Sequence, residues 1–274
     1  AYGLMGTFIA ITSIIIPIAA LTYPIAIVLP KSNIEAKALI KLSLTTTTIL
    51  SISAGIILLL FHKKVVSILQ LEEISSFLYL LPLVILSAGV LQVFEQWLIR
   101  TKQFSVSAKA MFFHSLILNG SKVGVGFFYP FASILILFTA LSSGLKALLL
   151  FLFTNKSRKK KVSTTTINKK EKISITAIAK KYKDFPLFRA PEVSINALSQ
   201  SLPILLLTSL FGPASAGFYS IGRTVLRIPT VLIGKSVADV FYPRISEAAN
   251  KGENLTKLIK KATLALVIVG IVPY

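Results

Sequence analysis

Residues 182–244 read YKDFPLFRAPEVSINALSQSLPILLLTSLFGPASAGFYSIGRTVLRIPTVLIGKSVADVFYPR. Two long apolar segments meet at Phe211-Gly212-Pro213, a Gly-Pro pair that reads as a turn. Charges stand inside both segments. Arg189 and Glu192 enter the first; Arg223 and Arg227 lie in the middle of the second, with Lys235 and Asp239 beyond them. A charge in hydrocarbon is costly, so each must pair, reach the interface or face water.

Apolar runs of this length recur along the chain. Of its 274 residues 54% are hydrophobic, and the mean hydropathy is +0.78. A soluble domain is about 45–50% apolar even with glycine counted. About 20 residues at 1.5 Å rise cross a ~30 Å hydrocarbon core. We therefore read an all-α polytopic membrane protein with about eight spans. They are A (3–29), B (38–61), C (74–99), D (104–128), E (129–153), F (186–211), G (214–241) and H (258–273). The D/E division rests on Gly126, Tyr129 and Pro130 as a turn.

The net charge is +20, and half of it lies in one connection. Residues 155–183 hold eleven Lys or Arg and one acid, Glu171. The ordinary reading is a topology signal in a solvated linker, flexible around 157–166. Attraction to anionic lipid is the sharper one. No aromatic interleaving or nucleic-acid module accompanies the charges, so no nucleic-acid partner is expected. The A–B, C–D and G–H connections are also basic, whereas D–E and F–G carry no charge. By the positive-inside rule the basic connections, including 155–183, face the cytoplasm. Span A then runs inward, which implies a further helix before it.

An internal echo agrees with this. Pro17 precedes Glu35 by 18 residues, and Pro229 precedes Glu247 by 18. Matching A with G and B with H gives parallel six-helix repeats. The expected organisation is a first bundle, 1–154, lacking its first helix; a basic cytoplasmic linker, 155–183; and the start of a second bundle, 184–274. The chain looks like a fragment.

The chain has no cysteine, which excludes disulfides and thiol chemistry. It has no Gly-rich phosphate loop ending in Lys-Ser/Thr. His62 and His114 have no ligand-spaced partners and read as structural. We expect no enzyme, no cofactor and no metal. The polar residues inside the spans are more informative. Arg223 lies nine residues into span G, about 14 Å deep and so near the bilayer centre. Arg227 is one turn further on the same face. Guanidinium groups there suit a phosphate or carboxylate. Arg189 lies shallow on the cytoplasmic side, while Asn196, Ser199 and Gln200 lie near midplane. Glu95 (with Gln92 and Gln96 in span C) and Asp239 are candidate proton-coupling acids. The simpler reading pairs Glu95 with Arg100 and Lys235 with Asp239, and lets Lys122 and Lys146 snorkel. Pro191, Pro203 and Pro229 suggest bent or interrupted cavity-lining helices.

Several motifs together resemble a known family. They are Tyr182-Lys183-Asp184-Phe185-Pro186, Asn196-Ala197-Leu198-Ser199-Gln200, Phe211-Gly212-Pro213, Ala216-Gly217-Phe218-Tyr219 and Phe241-Tyr242-Pro243-Arg244, with Arg100-Thr101-Lys102-Gln103-Phe104 earlier. The chain is similar to bacterial polysaccharide-biosynthesis flippases, the O-antigen class of lipid-linked oligosaccharide translocases. These are distant relatives of the multidrug and toxin extrusion (MATE) exporters. The resemblance covers essentially the whole chain. It implies a MATE-like two-bundle transporter, of which this chain looks like the second through ninth helices. Such proteins often carry an Arg and an acid near the end of the span matching A; here Thr22-Tyr23-Pro24 stands there.

The function so implied is flipping of an undecaprenyl-pyrophosphate-linked oligosaccharide across the bacterial cytoplasmic (inner) membrane by alternating access, for O-antigen or capsule synthesis. Arg223 and Arg227 would hold phosphates, Arg189 and Lys235 would catch them at the cytoplasmic mouth, and Asn196, Ser199 and Gln200 would contact sugar. Partners would be the lipid bilayer, the polyprenyl-pyrophosphate oligosaccharide, and a polysaccharide polymerase and glycosyltransferases. The rivals are a cation-coupled multidrug exporter on the same scaffold, which should prefer acidic cavity residues, and a non-transporting membrane scaffold with an inert charge network.

Overall fold

The computed structural model describes residues 2–69, 71–128, 131–159, 174–250 and 252–271, and all regular structure among them is helical. The α-helices are α1 (Tyr2–Ile15), α2 (Asn33–Leu69), α3 (Leu81–Arg100), α4 (Phe104–Phe128), α5 (Ala132–Lys159), α6 (Ile175–Lys181), α7 (Ala190–Asn250) and α8 (Leu255–Ile271). Tighter 3₁₀ turns cover Ile16–Ile18, Tyr23–Val28 and Glu72–Leu80, and a wider π turn covers Phe185–Arg189. The chain divides into residues 1–217 and residues 218–274, with the boundary inside α7.

Most spans fall where hydropathy places them. Span D and α4 share both ends. Span B is α2, which is longer than expected but kinks at Phe61, where B was expected to end. The Tyr129-Pro130 turn lies outside the described residues, but α4 ends before it and α5 begins after it. The middle of the basic linker, 160–173, also lies outside them. Among the described residues four helical stretches are long and apolar enough to cross a bilayer: Asn33–Ser67, Glu72–Arg100, Ala132–Asn155 and Phe185–Arg227. This is a polytopic membrane protein. The outer side of α2 is apolar and uncovered among the described residues: Ile49, Ile52, Leu59 and Leu60 are all more than half exposed.

Span A is a correction, because it is not one helix. α1 ends at Ile15, Leu21 and Thr22 take left-handed conformations (φ 48° and 57°), and a 3₁₀ turn follows. Pro17 and Pro24 lack the amide hydrogens that would bond carbonyls four residues back. An interrupted helix in an apolar setting leaves carbonyls that water cannot reach. α3 adds side-chain donors at the two ends of the break. Gln92 Nε2 donates to the Ile16 carbonyl at 2.6 Å. Arg100 Nη1 donates to the carbonyls of Ile27 (3.1 Å) and Pro30 (2.6 Å), and Nη2 to Asn33 Oδ1 (3.1 Å). One planar guanidinium thus holds the whole turn into α2.

Arg100 is therefore not the partner of Glu95, which corrects a second expectation. Glu95 instead accepts from Lys146 Nζ of α5 at 2.5 Å, so Lys146 pairs across helices rather than snorkelling. The same face of α5 makes two further polar contacts with α4. Ser142 meets His114 Nε2 through its carbonyl and its hydroxyl (3.1 and 3.0 Å), and Thr139 Oγ1 accepts from Lys122 Nζ at 3.2 Å. His62 bonds the Ser75 carbonyl and stacks on Tyr79, so each histidine has a hydrogen-bond partner within the fold.

Apolar packing completes residues 1–217. Phe8, Leu58, Ile74, Leu78, Val84 and Ile136 bring α1, α2, α3, α5 and the 72–80 turn into one core. α2 and α3 approach closely at Gly89, where a Cβ would lie 2.3 Å from Thr47; small residues allow such crossings in membranes. In α7 the backbone leaves helical geometry at Gly212 (φ 80°, ψ 168°), a region open almost only to glycine. That is the predicted Phe211-Gly212-Pro213 turn. Pro191 and Pro203 sit within helical backbone, so the interruption falls on the glycine and not on the prolines. In residues 218–274, Arg244 Nη2 pairs with Glu253 Oε2 at 2.6 Å between the end of α7 and the start of α8.

Two consequences are measurable by thermal unfolding in detergent. Arg100→Ala leaves at least two buried carbonyls without donors, at about 1–3 kcal/mol each, and should lower the midpoint by several degrees. Arg100→Lys should recover only part, because one ammonium cannot reach both the Pro30 carbonyl and Asn33. Lys146→Leu alone leaves a carboxylate uncompensated and should cost about 3–5 kcal/mol, whereas Lys146→Leu with Glu95→Leu should restore most of it.

Candidate functional site

The polar residues of the first apolar segment are sorted by the helix that carries them. α7 starts after the Phe185–Arg189 π turn, where Pro186 removes a backbone donor. One side of α7 packs inward: Ser201 and Ile204 are buried, and Thr208 Oγ1 shares a 2.9 Å hydrogen bond with Thr7 Oγ1 of α1. The opposite side carries Glu192, Ile195, Asn196, Ser199 and Gln200, spaced for a single helix face. All five are exposed. They line a shallow open depression of about 490 Å³. Gln200 Nε2 donates to Asn196 Oδ1 at 2.5 Å, which sets both amides on this face.

Arg189 and Glu192 are three residues apart at the head of the stripe. Arg189 Nη1 donates to both Glu192 oxygens, at 2.8 and 2.7 Å. Its charge is thereby offset, which weakens the expectation that it catches phosphate. Sequence placed Asn196, Ser199 and Gln200 together correctly, but left Glu192 out of their group. Its i, i+4, i+7 and i+8 spacing with them was the available signal.

Residues 218–274 hold the other candidates. Arg223 is half-buried and Arg227 exposed. Both stand in helical backbone one turn apart. The side chains of Lys235 and Asp239 lie outside the described residues, and so does their expected pairing.

A further polar junction, missed from sequence, surrounds the end of the linker. α6 buries Ile178 among Tyr23, Ala26, Leu39, Leu42 and Val93, with Trp97, Tyr182 and Phe185 packed against them. Glu35 of α2 accepts from Lys181 and, at 3.1 Å, from the Tyr182 hydroxyl. The Glu35 carboxylate holds the Lys181 ammonium above the usual lysine range. Burial, then the bond to Glu35, pushes the Tyr182 phenol up. The lysine contribution is thus complete at neutral pH and is lost as pH rises through the raised lysine value. Thr22 Oγ1 donates to the Phe185 carbonyl at 2.9 Å, so the left-handed turn and the π turn touch each other. Here Thr22-Tyr23-Pro24 makes a structural joint.

Among the described residues no three His, Asp or Glu side chains gather in a way that could hold a metal ion. The arrangement suits binding: two guanidinium groups one turn apart on one stretch, and amides, a hydroxyl and a carboxylate along one face of another.

Neither a curated protein nor a solved structure matches the chain. The model of one family, described as "Polysaccharide biosynthesis protein", matches residues 1–274. A polytopic helical protein matched from end to end in this way belongs to the polysaccharide biosynthesis protein family.

Proposed function

We propose that this protein translocates a polyprenyl-diphosphate-linked oligosaccharide across the cytoplasmic membrane by alternating access, and that it is a transporter and not an enzyme. The carrying observation is the Arg223/Arg227 pair, one turn apart in a membrane protein of the polysaccharide biosynthesis family. A diphosphate is strongly anionic and cannot cross hydrocarbon without replacement of its water and counterions. Two guanidinium groups offer paired, charge-assisted hydrogen bonds to it. The Asn196–Ser199–Gln200 face suits sugar hydroxyls, and the polyprenyl tail stays in lipid.

A multidrug exporter for cationic cargo fits less well, because the mid-span charges singled out here are basic. Glu95 already has Lys146 as its counterion, which accounts for it structurally. Cytoplasmic placement of the basic 155–183 connection follows from charge bias. Glycosyltransferases that build the lipid-linked unit, and a polymerase that consumes it, are the partners this reading calls for.

The test is Arg223→Glu and Arg227→Glu in the full-length protein, with surface polysaccharide measured at matched membrane levels. Each change should reduce export about tenfold or more, since hydrogen bonds to charged groups are worth about 1.5–3 kcal/mol. Export at the unsubstituted rate in both variants would refute the anion site.

A further inference from the structure

The first residues of α1 meet α7 on both sides of its break at Gly212. Ala10 packs with Ile204 and Ala216, and all three are buried. Thr7 Oγ1 shares its 2.9 Å hydrogen bond with Thr208 Oγ1. Gly3 lies so close to Pro213 that a Cβ there would overlap the Pro213 carbonyl oxygen. Gly3, Thr7 and Ala10 follow one another at i, i+4 and i+7, so they form one face of α1. Residues 204–208 precede the break and residues 213–216 follow it, so α1 begins against the F–G turn. By the charge bias of the connections, that turn lies on the extracytoplasmic side.

This seam is tight but costs little to part. Each threonine hydroxyl carries one hydrogen, and each has an acceptor on its own helix. Thr7 Oγ1 donates to the Gly3 carbonyl at 3.1 Å, and Thr208 Oγ1 to the Ile204 carbonyl at 2.8 Å. Two hydrogens serve three contacts, so the bond across the seam competes with the bonds within each helix. Separation therefore leaves neither hydroxyl without a partner. The rest of the seam is close packing at small residues. The contact between Glu95 and Lys146 is the opposite case, because parting it strands two charges in apolar surroundings.

Resting on the transport reading above, we propose that Gly3, Thr7 and Ala10 of α1, with residues 204–216 of α7, form the extracytoplasmic gate. The gate is closed in this structure and parts once in each transport cycle. Gly3 permits closure because it has no side chain to hold the Pro213 carbonyl away.

Two arms test this in the full-length protein. The chain itself has no cysteine, and any outside it is replaced. In the first arm, Thr7→Cys with Thr208→Cys is oxidised in cells; hydroxyls in contact place these positions near disulfide geometry. Remaining free thiols are counted by mass-tagging with a maleimide polymer, and newly made surface polysaccharide is measured. The disulfide should form and stop export, and a reductant should restore it. A disulfide that forms without loss of export would show a fixed contact, and failure to form one would show that the helices do not meet there. Either result overturns the gate. In the second arm, Thr208→Cys alone is labelled from outside by a charged, membrane-impermeant methanethiosulfonate. Gly3→Val in that background should hold the seam open and speed labelling about tenfold, because a buried thiol otherwise reacts only through local opening. Gly3→Ala, a smaller wedge and a milder change for folding, should move the rate in the same direction. Equal rates in all three proteins would also overturn the proposal. Labelling is read without export. A wedge that exposes the thiol while the Arg223 and Arg227 variants export normally therefore removes the anion site and leaves the gate standing.

Discussion

Backbone groups inside hydrocarbon have no water to fall back on, and the layout of residues 1–217 follows from that. Where the helix stays intact, its own hydrogen bonds meet the requirement. Between Ile16 and Pro30 it does not stay intact, because Pro17 and Pro24 cannot donate. Gln92 and Arg100, eight residues apart on α3, donate to the carbonyls at the two ends of this break. That fixes α3 against the interrupted span and sets the start of α2. The folded turn then presents Tyr23, Leu39 and Leu42 as the seat for α6, and Thr22 as a donor to Phe185. The beginning of the next long helix is positioned by the repair of an earlier one.

The polar residues inside the spans divide by whether the fold uses them. Glu95 with Lys146, His114 with Ser142 and Lys122 with Thr139 join α5 to α3 and α4 along one face of α5. Such contacts are modest in energy but specify which helix faces which. The α7 stripe differs. Asn196 and Gln200 bond each other one turn apart, and Arg189 bonds Glu192 three residues on.

Much of this was legible without the fold. Hydropathy and length placed α4 to the residue and located the break at Gly212, because a span needs a minimum apolar run and a left-handed backbone needs glycine. The motifs from Tyr182 to Arg244 pointed to the family that the whole-chain match establishes. The i, i+4 spacing put Asn196 and Gln200 on one face. Other features were not legible. Span A passed as a continuous helix because it carries no charge and is long enough to span, although Pro17 and Pro24 stand within it; the backbone breaks there. Glu95 was matched to Arg100 because sequence shows proximity along one helix, and Lys146 lies 51 residues away.

The sequence by itself determined the class of molecule, an all-helical membrane protein, since apolar runs of spanning length admit little else in a bilayer. It also determined some helix ends, such as both ends of α4 and the break at Gly212. Partnership was decided only by the tertiary structure. Arg100 serves carbonyls about 70 residues earlier, Lys146 neutralises Glu95 across a helix interface, and Glu192 offsets Arg189 on the stripe. Periodicity reports which face of a helix a residue occupies; it holds no record of what stands opposite. That depends on how helices cross, which is set by the packing of many side chains at once and by small residues such as Gly89 that let two backbones meet.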